Sequence, residues 1–204
     1  DRIRRTVDPT IAYRHSCHHG VCGSCVALIN GVEKLLCKTL IASVVGKGGK
    51  IVVEPMRNFK VIRDLIVDLE PFFTKLRVVK PALIRAEIPS DREVPQSPWN
   101  VNTMKQYEAC IECGACYSAC PIVASDPLYL GPAALMVAYR TCLDERDEYK
   151  EERLSIIDNE EGCWRCHSNL GCTEVCPKKV DPASAIAGLR RMILSHKIPL
   201  RRSR

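Results

Sequence analysis

The sequence predicts an α+β protein that begins with a small β-rich domain and continues with a mainly helical one. Its 204 residues leave room for two modest domains. The cysteines fall into two groups, which are separated by a cysteine-free stretch over residues 38–109. Short apolar runs and glycine-containing turns accompany the first group, whereas apolar residues at helical spacing surround the second. We therefore assign residues 1–88 to the first domain and residues 89–204 to the second.

A β-hairpin is predicted directly after the first cysteine loop. Val26–Ile29 and Val32–Cys37 flank Asn30–Gly31, and an Asn-Gly pair between two apolar runs is typical of a tight hairpin turn. Three glycines then interrupt the chain before Ile51–Val53, which is predicted as another short strand. These strands make the first domain β-rich.

Helical periodicity begins after these strands and dominates the second domain. Apolar residues recur every three or four positions over residues 61–79, which are predicted as helical with a bend or an end at Pro71. A polar linker punctuated by prolines follows. Further helical segments are predicted at residues 101–109, 132–141, 144–157 and 181–196. The last of them opens with Asp181 and Pro182, an N-cap followed by proline at the first helical position.

The number and spacing of the cysteines restrict the function. There are 13, an odd number, and most are separated from the next by two to four residues. Such close neighbours are poor staples for a fold, but they can converge as thiolates on a metal centre. Buried or disulfide-paired cysteines are the alternative that this spacing disfavours. Thiolate ligands also predict a reducing compartment.

The remaining composition excludes several classes of protein. The sequence contains no nucleic-acid-binding pattern, no secretory leader and no apolar stretch of about 18 residues that could span a bilayer. The net charge of +6 fits either an ordinary solvated surface or docking to an acidic protein or anionic headgroups.

The first cysteine group predicts a 2Fe–2S cluster. Cys17, Cys22 and Cys25 have the plant-type spacing C-x4-C-x2-C, and Cys37 supplies a distant fourth thiolate. Glycines suit this loop, because a chain that wraps a compact inorganic core needs positive φ angles. A structural zinc site is the weaker alternative. The two histidines after Cys17 are not needed as ligands and are predicted to lie on the surface.

The second cysteine group predicts two more clusters. Residues 110–121 follow C-x2-C-x2-C-x3-C-P, a pattern whose fourth cysteine binds the neighbouring cluster. Residues 166–177 fit the same template, with Asn169 in place of its second cysteine. With the fourth cysteines exchanged, the predicted ligands of a 4Fe–4S cluster are Cys110, Cys113, Cys116 and Cys176. The other site has only Cys120, Cys166 and Cys172.

Three thiolates leave one corner of a cubane without a good ligand, because an amide such as Asn169 is a poor replacement for thiolate. A corner without a ligand readily loses its iron, so this site is predicted to hold a 3Fe–4S cluster. Two cysteines lie outside the templates. Cys142 is predicted to be part of the core. Cys163 could in principle compete as a ligand, but this is disfavoured because the templates already account for the other eleven cysteines. Trp164 is predicted as a core aromatic.

These motifs together resemble the iron–sulfur subunits of succinate dehydrogenase and fumarate reductase, the complex II family. The resemblance covers nearly the whole chain and is carried by SCHHGVCGSC, CIECGACYSACP and CHSNLGCTEVCPKKVDP. It implies that the first domain is a plant-type 2Fe–2S ferredoxin β-grasp and the second an α-helical ferredoxin domain.

The resemblance also implies an electron-transfer subunit that has no catalytic residue of its own. A partner flavoprotein would oxidise succinate or reduce fumarate at FAD, and a membrane anchor would bind quinone. The chain would lie on the cytoplasmic or mitochondrial matrix face of the inner membrane, held there by these partners without a transmembrane helix of its own. It lacks a Gly-x-Gly-x-x-Gly nucleotide loop, which agrees with FAD belonging to a partner.

The sequence departs from the family in three places. Only 16 residues precede Cys17, where the family normally has a hairpin and a helix, so the β-grasp is expected to be truncated at its start. His18–His19 replaces the usual Arg-Glu, near the expected position of the flavin. Residues 122–125 replace aromatic residues that include a quinone-contacting tryptophan, which predicts an altered quinone pocket. The quinone-side surface is assigned to Pro121, Ser125 and His167.

Two other functions remain open at this point. One is the iron–sulfur part of a soluble thiol-dependent fumarate reductase, which the missing tryptophan motif favours. The other is a zinc-binding structural module, which metal analysis would distinguish from an iron–sulfur protein.

Overall fold

A computed structural model describes residues 1–46, 48–87, 89 and 91–197 of the chain. Residue 88, the predicted end of the first domain, and the last seven residues of the predicted second domain lie outside the described part. Small sheets occupy the first part of the chain and helices the second, so the predicted α+β class is confirmed.

The central sheet of the first domain has three antiparallel strands. Strand β1 (Val26–Ile29) pairs with β2 (Val32–Leu35) on one side and with β3 (Val53–Glu54) on the other. The turn between β1 and β2 is Asn30–Gly31, whose φ angles of 52° and 80° suit these two residues. The predicted hairpin is therefore confirmed. All four residues of β1 are buried, because β1 is the middle strand.

Short helical elements frame this sheet. Helix α1 (Arg2–Thr6) precedes the first cysteine loop, and helix α2 (Ile41–Val44) follows the hairpin. A 3-10 turn at Leu36–Lys38 connects β2 to α2 and contains Cys37.

The prediction of a helix over residues 61–79 is wrong in its first half. Strands β4 (Val61–Arg63) and β5 (Ile66–Val67) form a small antiparallel pair, and helix α3 covers only Glu70–Val78. Asp64 turns the chain between the strands with φ 48°. Pro71 lies in the first turn of α3, where a missing N–H costs nothing, so it begins this helix instead of ending one.

The second domain is built around one buried helix, α7 (Pro132–Leu143). Helices α4 (Pro98–Glu108) and α10 (Pro182–Lys197) pack against it, and α8 (Lys150–Ile157) covers another side. A Cβ at Gly188 of α10 would come within 2.4 Å of the Tyr139 ring of α7, so the two helices approach closely here. The one-turn helices α5 (Ala115–Ser118), α6 (Pro121–Ser125) and α9 (Gly171–Glu174) carry or follow cysteines.

Most helix predictions for this domain are confirmed. Asp181 caps α10 as predicted, since its Oδ1 accepts a hydrogen bond from the Ser184 N–H at 3.0 Å. The predicted segment 144–157 is helical only in its second half, α8. In the described part of the chain, no helix is both long and apolar enough to cross a bilayer.

Polar contacts join the first domain to the segment that carries the second cysteine group. Glu33 of β2 is buried and accepts a hydrogen bond from the Ser118 hydroxyl at 2.8 Å. The Asn58 side-chain amide donates to the carbonyls of Tyr117, Ser118 and Cys120 at 2.9–3.0 Å. Glu33 and Asn58 of the first domain therefore bond to residues 117–120, Glu33 through a side chain and Asn58 through the backbone.

A buried ion pair fixes the segment that connects the domains. Arg153 of α8 has no exposed surface and pairs with buried Asp147 at 2.6 Å. Its guanidinium also donates to the carbonyls of Val79, Lys80 and Ala82 at 3.0–3.3 Å. The start of the connection is thus bound through its main chain.

Candidate metal centres

The first site is a loop whose amide groups surround a sulfur. The backbone N–H groups of His19, Val21 and Cys22 point at Cys17 Sγ at 3.3–3.4 Å. These hydrogen bonds lower the pKa of the Cys17 thiol to about 6, so the loop favours the thiolate. Gly20 supplies one of the positive φ angles that the wrapping requires, at 71°.

The structure brings the other three predicted ligands of this site to the same place. Cys22 is a direct neighbour of Cys17, and Cys25 neighbours both Cys22 and Cys37. Burial raises the pKa of Cys25. His18 and the residue after it are exposed, as predicted, and the His18 Nε2 lies 3.3 Å from His15 Nδ1.

The two halves of the second domain repeat one local design around their first cysteines. The N–H two residues further on donates to each sulfur at 3.4 Å, from Glu112 to Cys110 and from Ser168 to Cys166. Both donors have positive φ angles, 50° and 54°. A second left-handed residue then begins a one-turn helix, α5 or α9, which carries a further cysteine. In this repeat Asn169 occupies the position of Cys113.

The fourth cysteine of each half faces the other half. One cavity is lined by all four thiols assigned to the 4Fe–4S site, so Cys176 joins the cysteines of the first half there. A second cavity is lined by Cys120, Cys166 and Cys172, with Asn169 also at its wall. Each cavity therefore combines cysteines from both halves of the domain.

Burial governs the chemistry of these thiols. It raises the pKa of Cys113 and of Cys172 to about 11, and that of Cys116 well above its ordinary value. Neighbouring thiols act in the same direction, because a second negative charge nearby disfavours the thiolate. Converging soft sulfur donors of this kind suit iron–sulfur clusters, whose positive iron offsets the charge of the thiolates.

In the described residues, no three His, Cys, Asp or Glu side chains converge closely enough to hold one metal ion. The thiolates of a cluster surround a core of several atoms and so stand farther apart than the ligands of a single ion.

One residue at the second cavity is not indicated by any sequence motif. Tyr129 lies between α6 and α7 with only 1% of its surface exposed, and it lines the cavity beside Cys120 and Cys166. Burial raises the pKa of its hydroxyl, so the phenol keeps its proton. The missing indication is understandable, because a tyrosine nine residues after Cys120 and 37 before Cys166 matches no motif.

The predicted quinone-side residues are only partly together. Pro121 and His167 are exposed and line the second cavity, whereas Ser125 lies outside its lining and bonds to the Ile122 carbonyl. Trp164 was wrongly assigned to the core: it is 40% exposed, because its indole N–H reaches out to Asp158 at 2.8 Å.

The two cysteines outside the templates are both buried. Cys142 lies in α7 with 3% exposure, which confirms its predicted place in the core. Cys163 is fully buried, and the charged groups that act on its thiol are Arg190 and Asp158.

Comparisons with known proteins identify iron–sulfur domains in both parts of the chain. A family model described as a 2Fe–2S iron–sulfur cluster binding domain matches residues 1–74, and one described as a 4Fe–4S dicluster domain matches residues 106–180. The chain resembles a solved chain of the Mycobacterium smegmatis Sdh1 complex in the apo form with a TM-score of 0.85. The two are 28% identical, and the match covers 98% of this chain and 84% of that one.

Curated relatives with higher sequence identity are also iron–sulfur subunits. The fumarate reductase iron–sulfur subunit of Mycobacterium tuberculosis (strain CDC 1551 / Oshkosh) is 43% identical over 95% of this chain and 78% of its own length. The mitochondrial succinate dehydrogenase (ubiquinone) iron–sulfur subunit of Dictyostelium discoideum is 36% identical over 94% of this chain and 69% of its own. The chain therefore belongs to the family of iron–sulfur subunits of fumarate reductase and succinate dehydrogenase, and carries the 2Fe–2S and 4Fe–4S domains of these oxidoreductases.

Proposed function

We propose that this chain relays electrons between the FAD of a partner flavoprotein and a membrane quinone, through one 2Fe–2S, one 4Fe–4S and one 3Fe–4S cluster. The observation that carries this proposal is the crossed placement of the fourth cysteines, which leaves one cavity with four thiols and the other with three. Membership of the family supports the reaction, which is succinate oxidation coupled to quinone reduction or its reverse.

Eleven cysteines are proposed as ligands. The 2Fe–2S cluster is held by Cys17, Cys22, Cys25 and Cys37. The 4Fe–4S cluster is held by Cys110, Cys113, Cys116 and Cys176. The 3Fe–4S cluster is held by Cys120, Cys166 and Cys172. When bound, these clusters supply one-electron transfer at potentials set by their surroundings.

The residues of the chain hold and shield these centres. Amide groups stabilise the thiolates of Cys17, Cys110 and Cys166, which lie at the start of each motif. Buried helix α7 and its neighbours keep water from the inner sides of the two helical-domain sites. Gly23, between Cys22 and Cys25, packs against Cys113, so the first two sites meet directly.

The partners are proposed to be an FAD-containing flavoprotein and a membrane anchor that binds quinone. The chain would then be peripheral, on the cytoplasmic or mitochondrial matrix face of the inner membrane. The name of the Dictyostelium relative, which includes ubiquinone and mitochondrial, supports this location and acceptor. Pro121 and His167, which line the cavity with three thiols, are the proposed quinone-side residues, with Ser125 nearby on α6.

The experiment is purification with the native partners, followed by metal analysis and electron paramagnetic resonance (EPR). We expect iron and sulfide, a three-iron resonance in the oxidised protein, and succinate oxidation or fumarate reduction with ubiquinone or menaquinone analogues. Zinc without visible absorption would favour the structural module instead. Fumarate reduction driven by a thiol, with no quinone activity, would favour the soluble enzyme.

A further inference from the structure

The position of Tyr129 is fixed by its backbone. Its carbonyl accepts a hydrogen bond from Lys75 Nζ of α3 at 2.6 Å, and its N–H donates to the Asp126 carbonyl at 3.3 Å. Lys75 also donates to the Pro127 carbonyl at 2.6 Å, so the segment that carries the ring is held at two points. The ring is buried and forms part of the wall of the three-thiol cavity.

Tyr129 shares the wall of that cavity with Cys120, Cys166 and Cys172. The charged forms of these three cysteines act on its hydroxyl, that of Cys166 most strongly. Tyr117 is different, because its hydroxyl accepts a hydrogen bond from Lys75 at 3.0 Å. A phenol has one proton to donate, and the cysteine sulfurs that share its cavity wall can accept it in a hydrogen bond.

We infer that Tyr129 donates a hydrogen bond to the Cys166 thiolate and thereby raises the reduction potential of the centre held in the three-thiol cavity. This inference rests on the proposed function, since it requires the cluster there. Reduction adds negative charge to the cluster and its thiolates, so a donor hydrogen bond stabilises the reduced form more than the oxidised one. Tyr129 is only 1% exposed, and a hydrogen bond away from water is electrostatically stronger than one at an exposed position.

The test is Tyr129→Phe in the complex with native partners, with the three-iron resonance followed by EPR during a redox titration. We expect the reduced form to be disfavoured about tenfold, a fall in potential of about 59 mV for a one-electron couple. Tyr107→Phe is the matched control, because it removes the hydroxyl of another buried tyrosine whose ionisable neighbours include no cysteine. Its three-iron potential should equal that of the wild type.

A second variant covers the case in which Tyr129→Phe does not assemble. Incorporation of 3-fluorotyrosine at position 129 keeps the ring and the hydroxyl, but makes the phenol a stronger donor. The three-iron potential should then rise above that of the wild type. An unchanged potential in this variant would overturn the inference, as would an unchanged potential in an assembled Tyr129→Phe.

Different results would contradict the cluster assignment and the role of Tyr129. A wild type without any three-iron resonance would overturn the cluster assignment, and this inference with it. A wild type that shows the resonance, with potentials that neither variant shifts, would overturn the role of Tyr129 and leave the proposed function standing.

Discussion

Asn169 occupies, in the second half of the helical domain, the position that Cys113 occupies in the first. We predict that Asn169→Cys converts the three-iron centre to a four-iron one, because the added thiolate completes the set around the cavity. The potential of that centre should fall, since one more negative ligand stabilises the oxidised form. EPR of the oxidised protein, with iron quantification, measures the loss of the three-iron resonance.

Asn169→Ala is the matched control for this change, because it removes the amide without supplying a ligand. The three-iron resonance should persist in it. Loss of that resonance in the alanine variant would mean that the amide itself holds the cluster.

Cys37 is the most distant ligand assigned to the first site, and it lies beside Cys25 in the structure. We expect Cys37→Ala to abolish the 2Fe–2S resonance and to leave the other two centres intact, because they are held by the second domain. Cys142→Ala is the control, since it removes a buried thiol that lines neither helical-domain cavity. A retained 2Fe–2S resonance in Cys37→Ala would show that another residue is the fourth ligand.

At the scale of elements, helix α10 depends on its N-cap. Although burial alone would raise the pKa of Asp181, hydrogen bonds from Ser184 and Thr173 hold it below its ordinary value. Asp181→Ala should lower the free energy of unfolding by about 1–2 kcal/mol, because the first N–H groups of the helix lose their acceptor. Denaturant unfolding of the cluster-loaded protein measures the change.

Asp181→Ser supplies the control for the capping effect. Serine is also a strong N-cap residue, so most of the lost stability should return. If serine were as destabilising as alanine, the role of Asp181 would be its charge or its bond to Thr173, and not the cap.

The sequence predicted elements well where a single local rule decides them. The turn at Asn30–Gly31 and the start of α10 at Pro182 follow from residues that are specific for those positions. The helix prediction failed over residues 61–67, because two short strands and a turn at Asp64 place apolar residues at the spacing of a helix. Periodicity over so few residues cannot separate the two patterns.

Prediction of the site from the sequence is also limited to features that follow a local pattern. The spacing of the cysteines is a motif and predicts a crossed ligand set, whereas Tyr129 lines one of the cavities through tertiary packing. Its place depends on Lys75 of α3, 54 residues earlier in the sequence. Contacts of this kind leave no pattern along one chain.

At the scale of the whole molecule, the two domains meet where Gly23 of the proposed 2Fe–2S site touches Cys113 of the proposed 4Fe–4S site. A Cβ at Gly23 would lie 2.7 Å from Cys113 Cβ and 3.0 Å from the Ile111 carbonyl oxygen. We predict that Gly23→Ala pushes the two sites apart, costs about 1–3 kcal/mol for overpacking, and slows electron transfer between them. EPR relaxation of the 2Fe–2S centre measures its magnetic coupling to the neighbouring cluster, which should weaken.

Gly49→Ala is a close control for the backbone strain. Gly49 and Gly23 both have a φ of 73°. A Cβ at Gly49, however, would meet no atom of the described residues within 4 Å. It should cost about 1 kcal/mol, the strain of a left-handed alanine, with the coupling between clusters unchanged. Equal coupling in the two alanine variants would contradict the direct contact between the sites.

The clamp formed by Arg153 has a consequence for how the chain can vary. The guanidinium donates hydrogen bonds to the main-chain oxygens of Val79, Lys80 and Ala82, and every residue type has such an oxygen. The exposed side chains of Lys80 and Ala82 can therefore differ between related proteins without weakening these bonds, whereas Val79 is constrained by its burial in the core. Arg153 and Asp147 cannot vary in this way. Loss of either would leave the charge of the other buried without a partner, so substitutions at these two positions should occur as a pair.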